Sequence, residues 1–202
     1  MSHTSATAPY PVHLDFHGAV RIARWRPVVQ WFLAIPHLVV VYALGIVRAV
    51  LVVVSCFAVL VTGRIPRPLF DVMAMTLRYE WRVTTYALFM RQDYPPFDFQ
   101  PMAADDGADR HTVVAFAYPE LLSRWQPLVR WLLAIPQYFV LVCLGLAAAA
   151  GVFAGLAAVL VTGKYPLGLR TFLVDAYGYN LRVQAYVGLL TDGYPPFRMH
   201  VS

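Results

Sequence analysis

Apolar residues fill positions 28–61 and again 128–161, broken among formally charged positions by Arg48 and Arg130 alone. Each run exceeds the roughly 20 apolar residues that cross a bilayer as a helix. At 1.5 Å per residue, about 35 residues would make a helix of roughly 50 Å, against a hydrocarbon core of about 30 Å. One expectation is therefore a membrane helical hairpin in each run, turning near Gly45 and Gly145. The other is one long helix kinked at Pro36 or Pro136, where proline removes a backbone hydrogen bond. Gly and Pro in "VTGRIP" and "VTGKYP" end the runs.

A third element follows in each half, at about 68–91 and 169–191. At 100° per residue, Asp71, Arg78, Arg82 and Thr85 share one sector, away from Leu77, Trp81 and Leu88. That pattern predicts an amphipathic helix at the membrane interface, with its arginines on lipid phosphates. A second stripe, Glu80 with Thr84, recurs as Asn180 with Gln184 and is expected to face protein. Residues 11–16 and 112–116 read as short strands that pair across the two halves.

The two halves are copies. Residues 24–37, "RWRPVVQWFLAIPH", align without a gap to "RWQPLVRWLLAIPQ" exactly 100 positions later. "AVLVTGRIP" meets "AVLVTGKYP", "RVTTY" meets "RVQAY", and "YPPF" closes each unit, so the unit is duplicated. The chain divides into a segment 1–23, repeat 24–97, an acidic, solvent-exposed linker 98–112 and repeat 113–202. The combination of "RWRPVVQWFLAIPH", "VLVTGRIPRPLFD" and "YPPF" resembles the bacterial membrane family of domain of unknown function 4389, in two tandem copies. That resemblance implies a membrane protein and brings no reaction or ligand with it.

Composition agrees with a membrane class: 59% of residues are hydrophobic, 13% are charged and mean hydropathy is +0.58, against about 45–50% apolar usage in soluble domains. The polar start lacks the apolar core of a removable signal peptide, so the first run is expected to act as its own insertion signal. Cys56 and Cys143 sit inside the runs as free thiols. Of the 16 basic residues only Lys164 is lysine, and the net charge is +5. Arg21, Arg24, Arg26, Arg64 and Arg67 flank the first run; Arg124, Lys164 and Arg170 flank the second. The positive-inside tendency favours hairpins that keep both flanks in the cytoplasm, with Arg48 snorkelling at the tip. A long helix per unit would instead make the repeats inverted. Either arrangement is an all-α protein, expected in the bacterial inner membrane as a multi-pass chain with cytoplasmic termini.

Candidate chemistry is sparse. His13, Asp15 and His17 would share one face of a strand as a metal ligand set, but the second unit has no counterpart, and a solvated strand edge is the plainer reading. His37 is an ionisable group in the apolar run; its counterpart is Gln137, which favours a polar packing role. With Glu80 and Asn180, this pair is expected at the repeat interface. Asp71 and Glu80 fall on different faces, and their equivalents in the second unit are Thr171 and Asn180; an ion pair of Asp71 with Arg78 explains the former. No nucleophile elbow, phosphate loop, Cys-x-x-Cys pair or zincin helix occurs, so no enzyme, metal or cofactor is expected.

Both units keep Arg24/Arg124, Arg64/Lys164, Arg82/Arg182, Thr62/Thr162 and Tyr86/Tyr186. With Arg78, the basic members are candidates for binding anionic lipid headgroups. Trp25, Trp31, Trp125, Trp131, Tyr94, Phe97, Tyr194 and Phe197 are the expected interfacial anchors. These features predict a non-enzymatic scaffold or accessory subunit whose partners are membrane lipids and another membrane protein, not nucleic acid. The alternative is a small oligomeric transporter or channel with its pathway between the repeats.

Overall fold

The computed structural model describes residues 11–18, 22–104, 107 and 109–199. The elements run β1 (Val12–Phe16), α1 (Arg26–Thr62), α2 (Arg67–Ala87), β2 (Thr112–Phe116), α3 (Gln126–Leu133), α4 (Ile135–Thr162) and α5 (Leu167–Val187). α1, α3 and α4 each carry proline in the first turn, where the missing N–H would have no helical partner. α1 and α4 stop at Gly63 and Gly163, whose φ of 70° and 69° is left-handed and whose N–H groups bond the carbonyls of Val59 and Val159. Glycine reaches that conformation without the Cβ clash that other residues meet.

The chain does not turn at Gly45 or Gly145. α1 is continuous through both Pro36 and Gly45, and α3 and α4 are separated only by Ala134, whose φ of −80° and ψ of −14° keep the helical direction. A lone glycine costs a helix about 1 kcal/mol, too little to reverse a rod with no proline or polar turn residues beside it. The second of the two expectations, one long helix per unit, is the one formed. α1 and α4 are each long and apolar enough to cross a membrane. Arg48 consequently lies at mid-helix rather than at a tip, and its Nη1 is 2.7 Å from Glu80 Oε2.

The strand expectation holds in register. β1 and β2 pair antiparallel, with Val12 facing Phe116, Leu14 facing Val114 and Phe16 facing Thr112. Adding 100 to one partner and subtracting it from the other returns the same ladder, so a pseudo-twofold axis passes through the Leu14–Val114 pair. Other bonds obey the same rule. Ile22 N–H donates to Gly163 O at 3.0 Å and Leu122 N–H to Gly63 O at 2.9 Å; His17 N–H donates to His111 O at 2.8 Å and Ala117 N–H to Pro11 O at 2.9 Å. The entry to each long helix therefore rests on the exit of the other, and α1 runs antiparallel to α3–α4.

Three layers result. α1 packs on α2 and α4 on α5, side chains of α2 and α5 share one core across the axis, and the ribbon lies on α2 and α5 from the far side. Trp81 stacks on Tyr177 beside the axis, ring centroids 4.5 Å apart. Phe70, Met73, Leu77, Trp81, Leu181 and Ala185 form the main core with Val114 and Phe116 of the ribbon. α2 and α5 are thus internal helices, which corrects the expectation of an interfacial amphipathic pair. α1 buries only the stripe Pro27, Gln30, Ala34, His37, Ser55 and Val59, spaced as one helical face. Its other faces, and those of α4, are apolar and exposed.

Candidate functional site

The exposed face of the long helices is bounded at both ends by basic residues. The Arg24 side chain lies against Gly163 and the Arg124 side chain against Gly63. Arg24 and Lys164 thereby mark one end of the antiparallel pair and Arg64 and Arg124 the other, all four exposed. Trp25, Trp31, Trp125 and Trp131 stand beside them, 61% to 72% exposed. Between α1 and α4 the same face carries a wholly apolar groove of ≈ 440 Å³, lined by residues such as Trp31, Phe32, Leu38, Phe89, Leu156 and Leu160.

Three of the expected headgroup arginines are elsewhere. Arg78, Arg82 and Arg182 are 2%, 0% and 7% exposed, and they hold backbone together. Arg78 donates to Gln100 O at 2.6 Å, to Met102 O at 3.2 Å and to Ala104 O. Arg82 Nη1 bonds Asp98 Oδ2 at 2.8 Å, and Arg182 Nη2 bonds Arg198 O at 2.6 Å and Met199 O at 3.0 Å. The described part of the linker is therefore a strap fastened over α2, and Ala103 O also accepts from Phe116 N–H. A helical arginine stripe looks the same in sequence whether phosphates or main-chain carbonyls await it, which is why periodicity misassigned these residues.

Other buried polar residues have partners that the sequence did not assign. Arg91 bonds Asp109, both at most 5% exposed, and Arg91 Nη2 also bonds Arg82 O at 3.0 Å. Burial alone would raise the Asp109 carboxyl, but the Arg91 guanidinium, the His111 N–H and the Thr112 hydroxyl hold it below its ordinary value. Gln30 Nε2 donates to Tyr86 O at 2.5 Å and Arg91 O at 2.9 Å, and Arg130 Nη1 donates to Tyr186 O at 2.9 Å and Thr191 O at 2.6 Å. Two different side chains perform one task at the same repeat position, tying the turn after α2 or α5 to the long helix. Their signal in the sequence was a polar residue inside an apolar run.

His37 and Gln137, both fully buried, do not lie between the repeats. Each is enclosed by its own unit. His37 Nδ1 is 2.6 Å from Tyr79 Oη, and its ring stacks on Phe97 with centroids 4.1 Å apart and contacts Tyr94 at 4.6 Å. Gln137 Nε2 donates to Pro195 O at 2.9 Å, and Tyr179 donates to Gln137 Oε1. The YPPF segments are thus lids over position 37 or 137, with Tyr94, Phe97, Tyr194 and Phe197 partly exposed on their outer side. Of the four residues expected at the repeat interface, Asn180 lines a groove between α1, α4 and α5 there, and Glu80, held by Arg48, faces Tyr177 of the other repeat.

The remaining candidates are local contacts. His17 Nε2 is 3.1 Å from Asp15 Oδ2 at the strand end, and among the described residues no group of three His, Cys, Asp or Glu is placed to hold a metal. Asp71 faces Arg67 at 3.8 Å rather than Arg78. Cys56 and Cys143 are free.

The sequence pattern of the domain of unknown function DUF4389 matches residues 24–98 and 124–198. The chain belongs to the DUF4389 family. No curated protein and no solved structure matches it. In this tandem DUF4389 chain the matched stretches begin at the rim arginines, Arg24 and Arg124. They end at Asp98 and Arg198, the residues that meet Arg82 and Arg182. The strands β1 and β2 fall outside both stretches, so the ribbon joins two DUF4389 units rather than belonging to either.

Proposed function

We propose that this DUF4389 protein is a non-enzymatic membrane scaffold or accessory subunit that docks another membrane protein or anionic lipid. The observation that carries the reading is what the two units share. Residues kept in both either close the fold, as Arg82/Arg182 and the YPPF lids do, or stand on the exposed rim, as Arg24/Arg124, Arg64/Lys164 and the four tryptophans do. Groups that could run acid–base chemistry are single-copy and engaged: His37 in its aromatic cage, Glu80 by Arg48, Asp109 by Arg91. A bacterial inner membrane with the basic rim toward the cytoplasm is the setting that the positive-inside tendency favours. The transporter alternative has less support, since His37 and Gln137 are closed inside separate units.

Purification in mild detergent tests the reading. A stoichiometric membrane partner, or anionic lipid retained in native mass spectrometry, is the expected result. A monodisperse protein carrying neither would contradict it.

A further inference from the structure

We infer that the long helices do not cross the bilayer but lie in the plane of one leaflet, sinking their exposed apolar face below the headgroups and placing both basic ends on the same membrane surface. The inference deepens the scaffold reading and rests on it for membrane association only.

The pseudo-twofold axis decides the orientation. It relates α1 to α4 and passes through the Leu14–Val114 pair, and it sets the entry of each long helix against the exit of the other, so the ribbon sits level with the middle of the long helices. Were α1 and α4 to span, the bilayer centre would surround a two-stranded ribbon with no third strand on either edge, capped by the strap only at Phe116, and exposed His13 and half-exposed Asp15 with it. Hydrocarbon leaves unpaired backbone groups unsatisfied, and open sheet edges do not occur there. Turning the long axes parallel to the membrane removes the conflict, because the ribbon and strap then lie on the water side, behind α2 and α5.

Charge points the same way. A 37-residue α1 measures about 55 Å at 1.5 Å per residue, with Arg24 and Lys164 at one end and Arg64 and Arg124 at the other. Spanning would send one basic pair to each side, against the positive-inside tendency. Lying flat puts all four on one layer of headgroups, with the tryptophans at the depth they prefer. Between these ends the formally charged residues Arg26, Arg48 and Arg130 are engaged by Gln92, by Glu80 and by the carbonyls of Tyr186 and Thr191. The occupant of this face is the headgroup and acyl boundary of an anionic leaflet, and the ≈ 440 Å³ groove beside Trp31 is open to acyl chains.

The test uses the full chain carrying Cys56→Ala and Cys143→Ala, with single cysteines introduced as Arg24→Cys, Arg64→Cys, His13→Cys or Val39→Cys. Each is reconstituted with vesicles of phosphatidylcholine and phosphatidylglycerol and treated with a membrane-impermeant maleimide. Positions 24, 64 and 13 should react from the same side, and position 39 should be protected only when vesicles are present. Replacing Arg24 and Arg124 by Gln should weaken binding to these vesicles by about 30-fold, from about 1 kcal/mol per basic residue near an anionic surface, and leave partition to pure phosphatidylcholine unchanged. Reaction of 24 and 64 from opposite sides would establish spanning and overturn the inference. So would protection of position 39 without vesicles, with cross-linking between copies, since a second chain would then cover the face. Same-side labelling of a protein that retains neither a membrane partner nor anionic lipid in detergent would reject the scaffold and keep the orientation; either one found with opposite-side labelling would do the reverse.

Discussion

At the residue scale, the informative positions are those where the two copies use different chemistry for one task. Gln30 and Arg130 bond equivalent carbonyls, and His37 and Gln137 each meet a tyrosine hydroxyl under a YPPF lid. His37→Gln should therefore cost under about 1.5 kcal/mol in thermal or denaturant unfolding. His37→Leu should cost about 1–3 kcal/mol, because the Tyr79 hydroxyl is left buried without its partner. The Arg91–Asp109 pair is more demanding: Asp109→Ala leaves a buried guanidinium uncompensated and should cost about 3–5 kcal/mol. It also sets a pH response. The folded pKa of Asp109 lies below its unfolded value, so its stabilisation is complete above about pH 4 and is lost as pH falls through the folded pKa. An acid titration of stability should show this loss in the parent and a shallower one in Asp109→Asn. Side-chain type was readable at all these places. Partner identity was not, because Arg78 and Arg82 find carbonyls and a carboxylate supplied by a strap that local periodicity does not register.

At the element scale, the repeat offset placed both strands, both helix-ending glycines and the helix that follows each apolar run correctly, since these rest on local signals of turn, cap and period. The hairpin expectation failed because length and flanking charge were asked to locate a turn that no local residue encodes. Glycine substitutions separate the cases. A Cβ at Gly45 meets nothing within 4 Å, so Gly45→Ala should be neutral or stabilise by up to about 1 kcal/mol, whereas a tight turn there would be damaged. A Cβ at Gly155 would come within 2.6 Å of the Tyr165 hydroxyl oxygen, and Gly155→Ala should destabilise by about 1–3 kcal/mol through overpacking. Thermal unfolding of both variants in one detergent measures the contrast. The burial of α2 was hidden for a different reason. An internal helix and an interfacial one both need an apolar sector beside a basic one, and only the tertiary partners tell them apart.

At the scale of the whole molecule, two copies become one body because each unit is completed by the other: the entry to each long helix bonds the exit of its counterpart, and neither strand has a ladder without its mate. Separately expressed halves, cut within the linker, should each aggregate, and coexpression should recover a soluble or detergent-stable pair. Independent folding of either half would contradict that coupling. The same symmetry gathers the apolar faces of α1 and α4 on one side of the protein and the ribbon on the other, and it is from this arrangement that the seat on a single leaflet follows. Depth measured by spin labels at positions 28, 42 and 61, all exposed along α1, tests it most directly. A helix lying in the plane places all three at one depth just beneath the headgroups. A label at 42 in the bilayer centre, with those at 28 and 61 near opposite surfaces, would contradict the account.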